Sequence, residues 1–228
     1  MKRWKPVVAL ALLVPAPSLG ALGAMILFPD TALGKAVFVS VKAWTLAFPA
    51  VWLLLVDKGR LSLSPARRGG WGVAVASGLA ISGAILLTYW LLGDWLIDKA
   101  FFREKIKGLG LAKPAMYAGC VAYWALVNSV LEEYVWRWFV CAKCEELARP
   151  WLAAALAALF FTLHHIVAMS VYFGAAAVAV CSAGVFLGGL IWSLMYVRYR
   201  SVWPGCASHA IVDLCMFAIG AWMIFGGG

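Results

Sequence analysis

An all-α polytopic membrane protein is the fold class this sequence predicts, and three observations predict it. Of 228 residues, 65% are hydrophobic and only 13% charged, whereas soluble domains carry about 45–50% apolar and about 25% charged residues. Mean hydropathy is +0.92. The apolar residues fall into runs of about 20, the length that crosses a bilayer as a helix. Alternating segments of about ten residues, which a membrane barrel needs, are absent. This composition excludes disordered chains, collagen, disulfide miniproteins and ordinary soluble enzymes. Seven transmembrane helices around an intramembrane polar cavity are expected, with an eighth only if the stretch Ser170 to Val197 divides.

The first run, Val7 to Phe28, is longer than the h-region of a signal peptide, so it reads as an uncleaved span. Pro15 and Pro17 should kink it. Ala36 to Val56 is the second run and contains Lys42 and Pro49. Trp71 to Gly93 is the third. Asp94 to Lys113 mixes charges with Trp95, Ile97, Phe101, Phe102, Ile106 and Leu109, the pattern of a helix lying in the interface. The fourth run is Pro114 to Val140, the fifth Trp151 to Met169. The sixth lies within Val171 to Val197 and could open on a re-entrant turn near Gly174. Trp203 to Phe225 is the seventh. Gly184, Gly188 and Gly189 predict close helix packing. Residues 1–113 thus hold the N-terminal spans and interfacial helix, and residues 114–228 a C-terminal core, within one integral membrane domain.

The formal charge of +9 does not point to nucleic acid, because no basic stripe interleaved with aromatics lies outside the spans. Basic residues instead flank the runs and set topology. Lys2, Arg3 and Lys5 place the N-terminus in the cytoplasm, together with the Lys58–Arg68 loop, Lys143/Arg149 and Arg198/Arg200. The loop carrying Lys99, Arg103, Lys105, Lys107 and Lys113 falls on the opposite side, against the rule, and its amphipathic character partly accounts for this. Cys141 and Cys144 form a C-x-x-C with no second pair, read as packing rather than as a zinc or redox site.

Three spans carry ionisable residues that hydrocarbon disfavours by about 2.5–3.5 kcal/mol each. Glu132, Glu133 and Arg137 lie on the fourth, His164 and His165 on the fifth, His209 and Asp213 on the seventh. Glu133 and Arg137 are i,i+4 and can pair on one helix face. Glu132 is rotated by about 100° and points elsewhere. His209 and Asp213 also share a face. Rise along the helices puts Glu132 about 13 Å, Asp213 about 15 Å, His209 about 9 Å and the His164/His165 pair about 20 Å from the cytoplasmic ends. The groups can therefore meet in one cavity. A helix pin needs one partner per charge, and this set holds more acids and imidazoles than one arginine satisfies. A desolvated glutamate can act as general base toward water, a histidine can share that proton, and a second histidine can stabilise an oxyanion. Zinc is the competing arrangement. Adjacent His164 and His165 point about 100° apart, which makes joint ligation awkward, and one of them with His209 and Glu132 is the alternative set. Lys42 receives no role.

These residues resemble the motifs of the CPBP intramembrane proteases, which include type II CAAX prenyl endopeptidases and bacteriocin-processing or immunity proteins. Glu132, Glu133 and Arg137 match Glu-Glu-x-x-x-Arg. Phe-x-x-x-His fits twice, as Phe160/His164 and as the favoured Phe161/His165. His209 and Asp213 match His-x-x-x-Asn/Asp, and the approach from Arg200 through Pro204 and Gly205 is also similar. The resemblance spans about Tyr123 to Cys215, and the first three spans carry no motif. It implies that Glu132 and His165 activate water, that Glu133 and Arg137 organise the site, and that His209 with Asp213 forms the oxyanion side. An ionised Asp213 cannot donate a hydrogen bond, so it must be protonated or orient His209. The implied activity is hydrolysis of a lipidated or membrane-bound peptide in the bacterial inner membrane, at a site opening toward the cytoplasm, with no cofactor expected and zinc as the less favoured route. The alternatives are a non-catalytic immunity or scaffold protein of the same fold and a proton-coupled transporter. The intact acid–imidazole set disfavours the first, and the lack of paired broken helices disfavours the second.

Overall fold

The computed structural model describes residues 4–226, so Lys2 and Arg3 of the expected orientation signal lie outside the described residues. Seven helices are long and apolar enough to cross a membrane: α1 (Trp4–Leu27), α2 (Ala32–Leu55), α3 (Trp71–Leu96), α5 (Pro114–Glu145), α6 (Pro150–Met169), α7 (Ala175–Tyr199) and α8 (Trp203–Phe225). The short α4 (Lys99–Gly108) joins α3 to α5. The sixth span is one helix preceded by a turn at residues 170–174, so there are seven spans and no eighth among the described residues.

The ends of these helices follow local chemistry. In α1 the first segment stops at Leu13, and Pro15 restarts the chain at a helical N1 position, where its missing N–H costs nothing. The span finishes as a π-helical stretch, Leu22–Leu27. Thr31 caps α2 through the Gly34 amide, and Asp98 caps α4 through the Phe101 amide, each satisfying an amide that the first turn leaves free. Helix α4 forms within the Asp94 to Lys113 interval where a helix is expected, and is shorter than that interval. Arg103 ties it to the end of α8 by donating to the Met223 carbonyl at 2.6 Å.

Helix α5 is the central element, packed against α1, α2, α6, α7 and α8, while α3 lies outside against α8 and α7. Helices α6 and α7 pack along their length because α6 offers small residues. Ala153, Ala154, Ala157 and Ala158 are all buried on it. Of the glycines expected to allow close packing, only Gly189 meets another helix. A methyl there would lie 3.4 Å from the Ala158 Cα and 3.1 Å from the Phe161 ring. Gly188 faces Trp192 of its own helix, and Gly184 meets nothing within 4 Å. The close approach is thus a single crossing point rather than a stripe. Large apolar side chains such as Trp90, Trp95 and Trp222 cover the outside, as lipid-facing positions of an integral membrane protein should.

One end of the bundle gathers the basic loops. Lys5 donates to the Val56 carbonyl, and the buried Lys143 pairs with Asp57 at 2.7 Å and with Glu146. Arg200 holds Glu145 by a two-pronged bond of 2.6 and 2.9 Å, which pushes its pKa further up. The α2–α3 loop is pinned to the same end by Ser201 and Val202, which bond Ser64, and by the Trp203 indole, which donates to the Leu63 carbonyl. Lys143 therefore acts as an ion-paired helix-end residue rather than a loop charge. Cys141 and Cys144 are buried in α5.

Filling the α6–α7 crossing should be costly. Ala158→Leu is expected to destabilise the protein by about 1–3 kcal/mol through overpacking, read as a lower thermal midpoint in detergent, whereas Leu159→Ala on the exposed face should change it little.

Candidate active site

Glu132 and Glu133 sit in a short α-helical stretch, Ser129–Glu133, flanked by π-helical turns at Trp124–Asn128 and Tyr134–Cys141. Such π turns concentrate at functional sites because they shift side-chain register within a continuous helix. Helix α5 runs past Val140 to Glu145, so Glu132 stands about 20 Å from that end rather than about 13 Å.

Glu133 and Arg137 have no exposed surface. Arg137 Nη1 lies 3.0 Å from Glu133 Oε1, an ion pair by proximity that is not aligned as a hydrogen bond. Nη2 donates to the Gly189 carbonyl at 3.3 Å. The guanidinium carbon stands 4.5 Å from the centre of the Phe161 ring and 5.2 Å from that of Trp192. Each ring face attracts the cation, and more strongly where water is excluded. Glu133 Oε1 also accepts from His209 Nδ1 at 3.2 Å, joining α5 to α8. Because the carboxylate can only accept, Nδ1 carries the hydrogen. Gly205 makes this approach feasible, since a methyl on it would lie 2.5 Å from Glu133 Oε2.

The His209 ring stacks on Trp192 with centroids 4.0 Å apart. The Trp192 indole donates to Ser208 Oγ, which in turn bonds Ser77 of α3. With Nδ1 so held, Nε2 faces Glu132 Oε2 and Asp213 Oδ1, each at 3.7 Å. One imidazole edge thus meets both acids left over by the Arg137 pair.

On α6, Phe161 packs beneath Arg137, Trp136, His165 and His209, so it is the phenylalanine at the site. His165 Nδ1 lies 2.9 Å from the Phe161 carbonyl. A carbonyl cannot donate, so Nδ1–H donates and Nε2 is left with a lone pair in the neutral ring. His164 lies flat against Trp136 with centroids 5.2 Å apart, and its Nδ1 is buried without a partner. The expectation that the adjacent histidines diverge is overturned. Their ring centroids are 4.1 Å apart, and one nitrogen of each lies within 4.8 Å of the other and of a Glu132 oxygen. The backbone directions do differ, but the tether to Phe161 and the stacking on Trp136 turn both rings into the same space. Among the described residues, the donor set that could hold a metal ion is Glu132, His164 and His165, rather than one of these histidines with His209 and Glu132.

Two atoms up to 4.8 Å apart can both reach one water at about 2.8 Å. The cluster can consequently hold and polarise a water molecule between a carboxylate and an unprotonated imidazole nitrogen. All the site residues anticipated from the sequence, Glu132, Glu133, Arg137, His164, His165, His209 and Asp213, are brought together. Trp136, Trp192, Gly189, Gly205 and Ser208 were missed as parts of the site, as were Lys42 and Asn128. Lys42 Nζ donates to Asn128 Oδ1 at 3.0 Å, one turn before Glu132. A cation in mid-span was the available signal for Lys42. The buried aromatics gave none, because tryptophan and phenylalanine occur throughout the spans.

Fold and site define a polytopic helical membrane protein with a carboxylate–imidazole cluster built from three of its spans. Residues 114–215, which contain all seven of these residues, match the family described as Type II CAAX prenyl endopeptidase Rce1-like. This match covers 102 of the 228 residues and agrees with the resemblance of their motifs to the CPBP proteases, while α1, α2 and α3 lie outside it. No curated protein and no solved structure matches the chain.

Adding one methyl at Gly205 should test the Glu133 contact. In an ordinary helix interior, Gly→Ala gains about 1 kcal/mol. Here the carboxylate must move away from Arg137 and His209, so Gly205→Ala is expected to destabilise the protein by about 1–3 kcal/mol and to lower its activity at least tenfold, measured by thermal melting and by turnover.

Proposed function

We propose that the protein is an intramembrane endopeptidase that hydrolyses a peptide bond of a lipidated or membrane-bound peptide. One observation carries this reading: a carboxylate from α5 and two imidazoles from α6 lie within 4.8 Å of one another, close enough to share one water molecule, and an imidazole from α8 stands 3.7 Å from the same carboxylate. Glu132 is the general base. His165, with Nδ1 held by Phe161, presents Nε2 to the same water and shares its proton. Attack of that water on the peptide carbonyl develops negative charge on oxygen, and His209, as the imidazolium with hydrogens on both ring nitrogens, donates through Nε2 to stabilise it. Asp213, 3.7 Å from His209 Nε2, holds the orientation of that ring rather than donating to the oxyanion. Glu133 and Arg137 position His209 through its other nitrogen. The proton taken by the Glu132/His165 pair then passes to the leaving amine. The basic end of the bundle faces the cytoplasm in this reading, by the positive-inside rule.

Metal-assisted hydrolysis is a second reading, favoured by the donor set itself. Two imidazoles and one carboxylate are a catalytic zinc set with an open position, and the buried, unpartnered His164 Nδ1 suits a ligand. Glu132, His164 and His165 would hold the ion, which would lower the pKa of a bound water to about 7. They would have to draw closer than 4.8 Å, since bonds of about 2.0–2.1 Å bring tetrahedral ligands within about 3.4 Å of one another.

Glu132→Gln should lower cleavage of membrane peptides by 100-fold or more while the purified protein keeps its melting temperature, and His209→Ala should lower cleavage as far but also lower the melting temperature, because it leaves the buried Glu133 without that partner. Full activity of Glu132→Gln would exclude the general-base role. Chelation separates the two readings. The water-only mechanism keeps its rate after exhaustive dialysis against a strong chelator, and the metal reading predicts loss of activity that zinc restores. In that case His164→Ala should abolish stoichiometric zinc binding as well as activity.

A further inference from the structure

At the basic end of the bundle a cavity of about 410 Å³ opens between the α2–α3 loop, α5 and the end of α7, within the range of about 300–1,000 Å³ common for small-molecule sites. Arg67, Arg68, Arg200, Trp138, Tyr196 and Tyr199 line it, and none of the seven residues of the carboxylate–imidazole cluster does. The loop that forms its outer wall is fixed. Ser201 donates to the Ser64 carbonyl, and the Val202 amide donates to Ser64 Oγ. At Gly70, φ is +101° and a methyl would lie 2.9 Å from the Tyr199 ring, so a residue with a side chain could not bring the loop this close to α7. The acids at this end are already taken. Asp57 and Glu146 pair with Lys143, and Glu145 pairs with Arg200. Among the described residues, no acidic side chain lies within 4.0 Å of Arg67 or Arg68. The hydroxyls of Tyr196 and Tyr199 also have no hydrogen-bond partner among the described residues, whereas those of Tyr117 and Tyr134 bond backbone carbonyls. The cavity thus gathers positive charge and hydroxyl donors with no free carboxylate to match them, which is the environment of an oxyanion.

We propose that this cavity binds the phosphoryl headgroup of an anionic phospholipid. Its depth argues for a lipid as the source of the phosphate. Helix α3 begins at Trp71, α8 begins at Trp203 and α7 ends at Tyr199, so the cavity lies level with the ends of three spans, where headgroups stand. Trp71 and Trp203 are both exposed there, the place tryptophan takes at a membrane surface. On the same loop Leu61 and Leu63 are 58% and 86% exposed, side chains that water disfavours and acyl tails would cover. Basic pockets between spans suit anionic headgroups. Arg67 and Arg68 would give the phosphate oxygens charge-assisted hydrogen bonds, and the two tyrosine hydroxyls would add neutral ones. The site lies apart from the proposed hydrolase centre, and binding there needs no catalysis to be measured.

The test titrates the full-length protein, in a neutral detergent, with fluorescent phosphatidylglycerol and then displaces the label. Unlabelled phosphatidylglycerol is expected to displace it at a concentration lower by about tenfold or more than phosphatidylcholine, whose choline cancels the phosphate charge. Arg67→Gln/Arg68→Gln should weaken phosphatidylglycerol binding by about tenfold or more with the melting temperature unchanged, since both side chains are exposed. Lys105→Gln/Lys107→Gln removes the same exposed charge from α4 at the opposite end of the bundle, and should change binding by less than about twofold. No saturable binding to wild type, or equal displacement by the two lipids, overturns the proposal without any variant having to fold. Binding unchanged in the double arginine variant also overturns it, as does an equal loss in the α4 variant, which would reduce the effect to general charge attraction. Inorganic phosphate tests the source. Displacement by millimolar phosphate as complete as that by phosphatidylglycerol assigns the cavity to a soluble phosphate and overturns the lipid assignment, whereas retention of the label supports it.

Discussion

A guanidinium with no exposed surface in the middle of a membrane bundle has to be neutralised where it stands. Arg137 is neutralised by Glu133, by the faces of Phe161 and Trp192, and by the Gly189 carbonyl. Each partner comes from a specific helix, so this single charge dictates how α5, α6 and α7 sit against one another. Gly189 is bare because the guanidinium and the Phe161 ring occupy the space a side chain would take. Glu133 then extends the arrangement to α8 through His209. Deleting one member of such a group leaves the others buried without compensation, which is why buried pairs are strongly destabilising to break even where their net contribution is small.

The same constraint separates the roles of neighbouring acids. Glu133 is consumed by Arg137 and His209. Glu132, one residue earlier and turned away, has no cation of its own and faces imidazole on two sides. Two adjacent glutamates therefore acquire different chemistry from a rotation of about 100°. The flanking π turns matter because they set where each acid points without ending the helix. The histidines are handled in the same manner, each by a fixed neighbour: Phe161 for His165, Trp136 for His164, and Trp192 with Glu133 for His209. Such support fixes these side chains in place without any ligand, the kind of preorganisation on which a polar site in a dry surrounding depends.

Composition and spacing determined a good part of this protein. Apolar runs of sufficient length forced seven helices, because backbone groups in hydrocarbon must be satisfied within each segment. The i,i+4 spacing of Glu133 and Arg137, and of His209 and Asp213, announced their pairing, since that interval places side chains on one helix face whatever surrounds them. Ionisable residues on three spans pointed to one shared cavity, because each is too costly in lipid to stand alone. What only the tertiary structure decided are contacts between residues distant along the chain. Helical periodicity suggested that His164 and His165 diverge, yet stacking on Trp136 and a tether to Phe161 turn them together. Three glycines looked like a packing stripe, yet only Gly189 meets the facing helix. Lys42 lies 86 residues from Asn128, and no local pattern brings them into contact. Spacing along a helix is a local quantity that the backbone enforces, whereas the direction of a ring or an ammonium depends on which distant helix packs beside it.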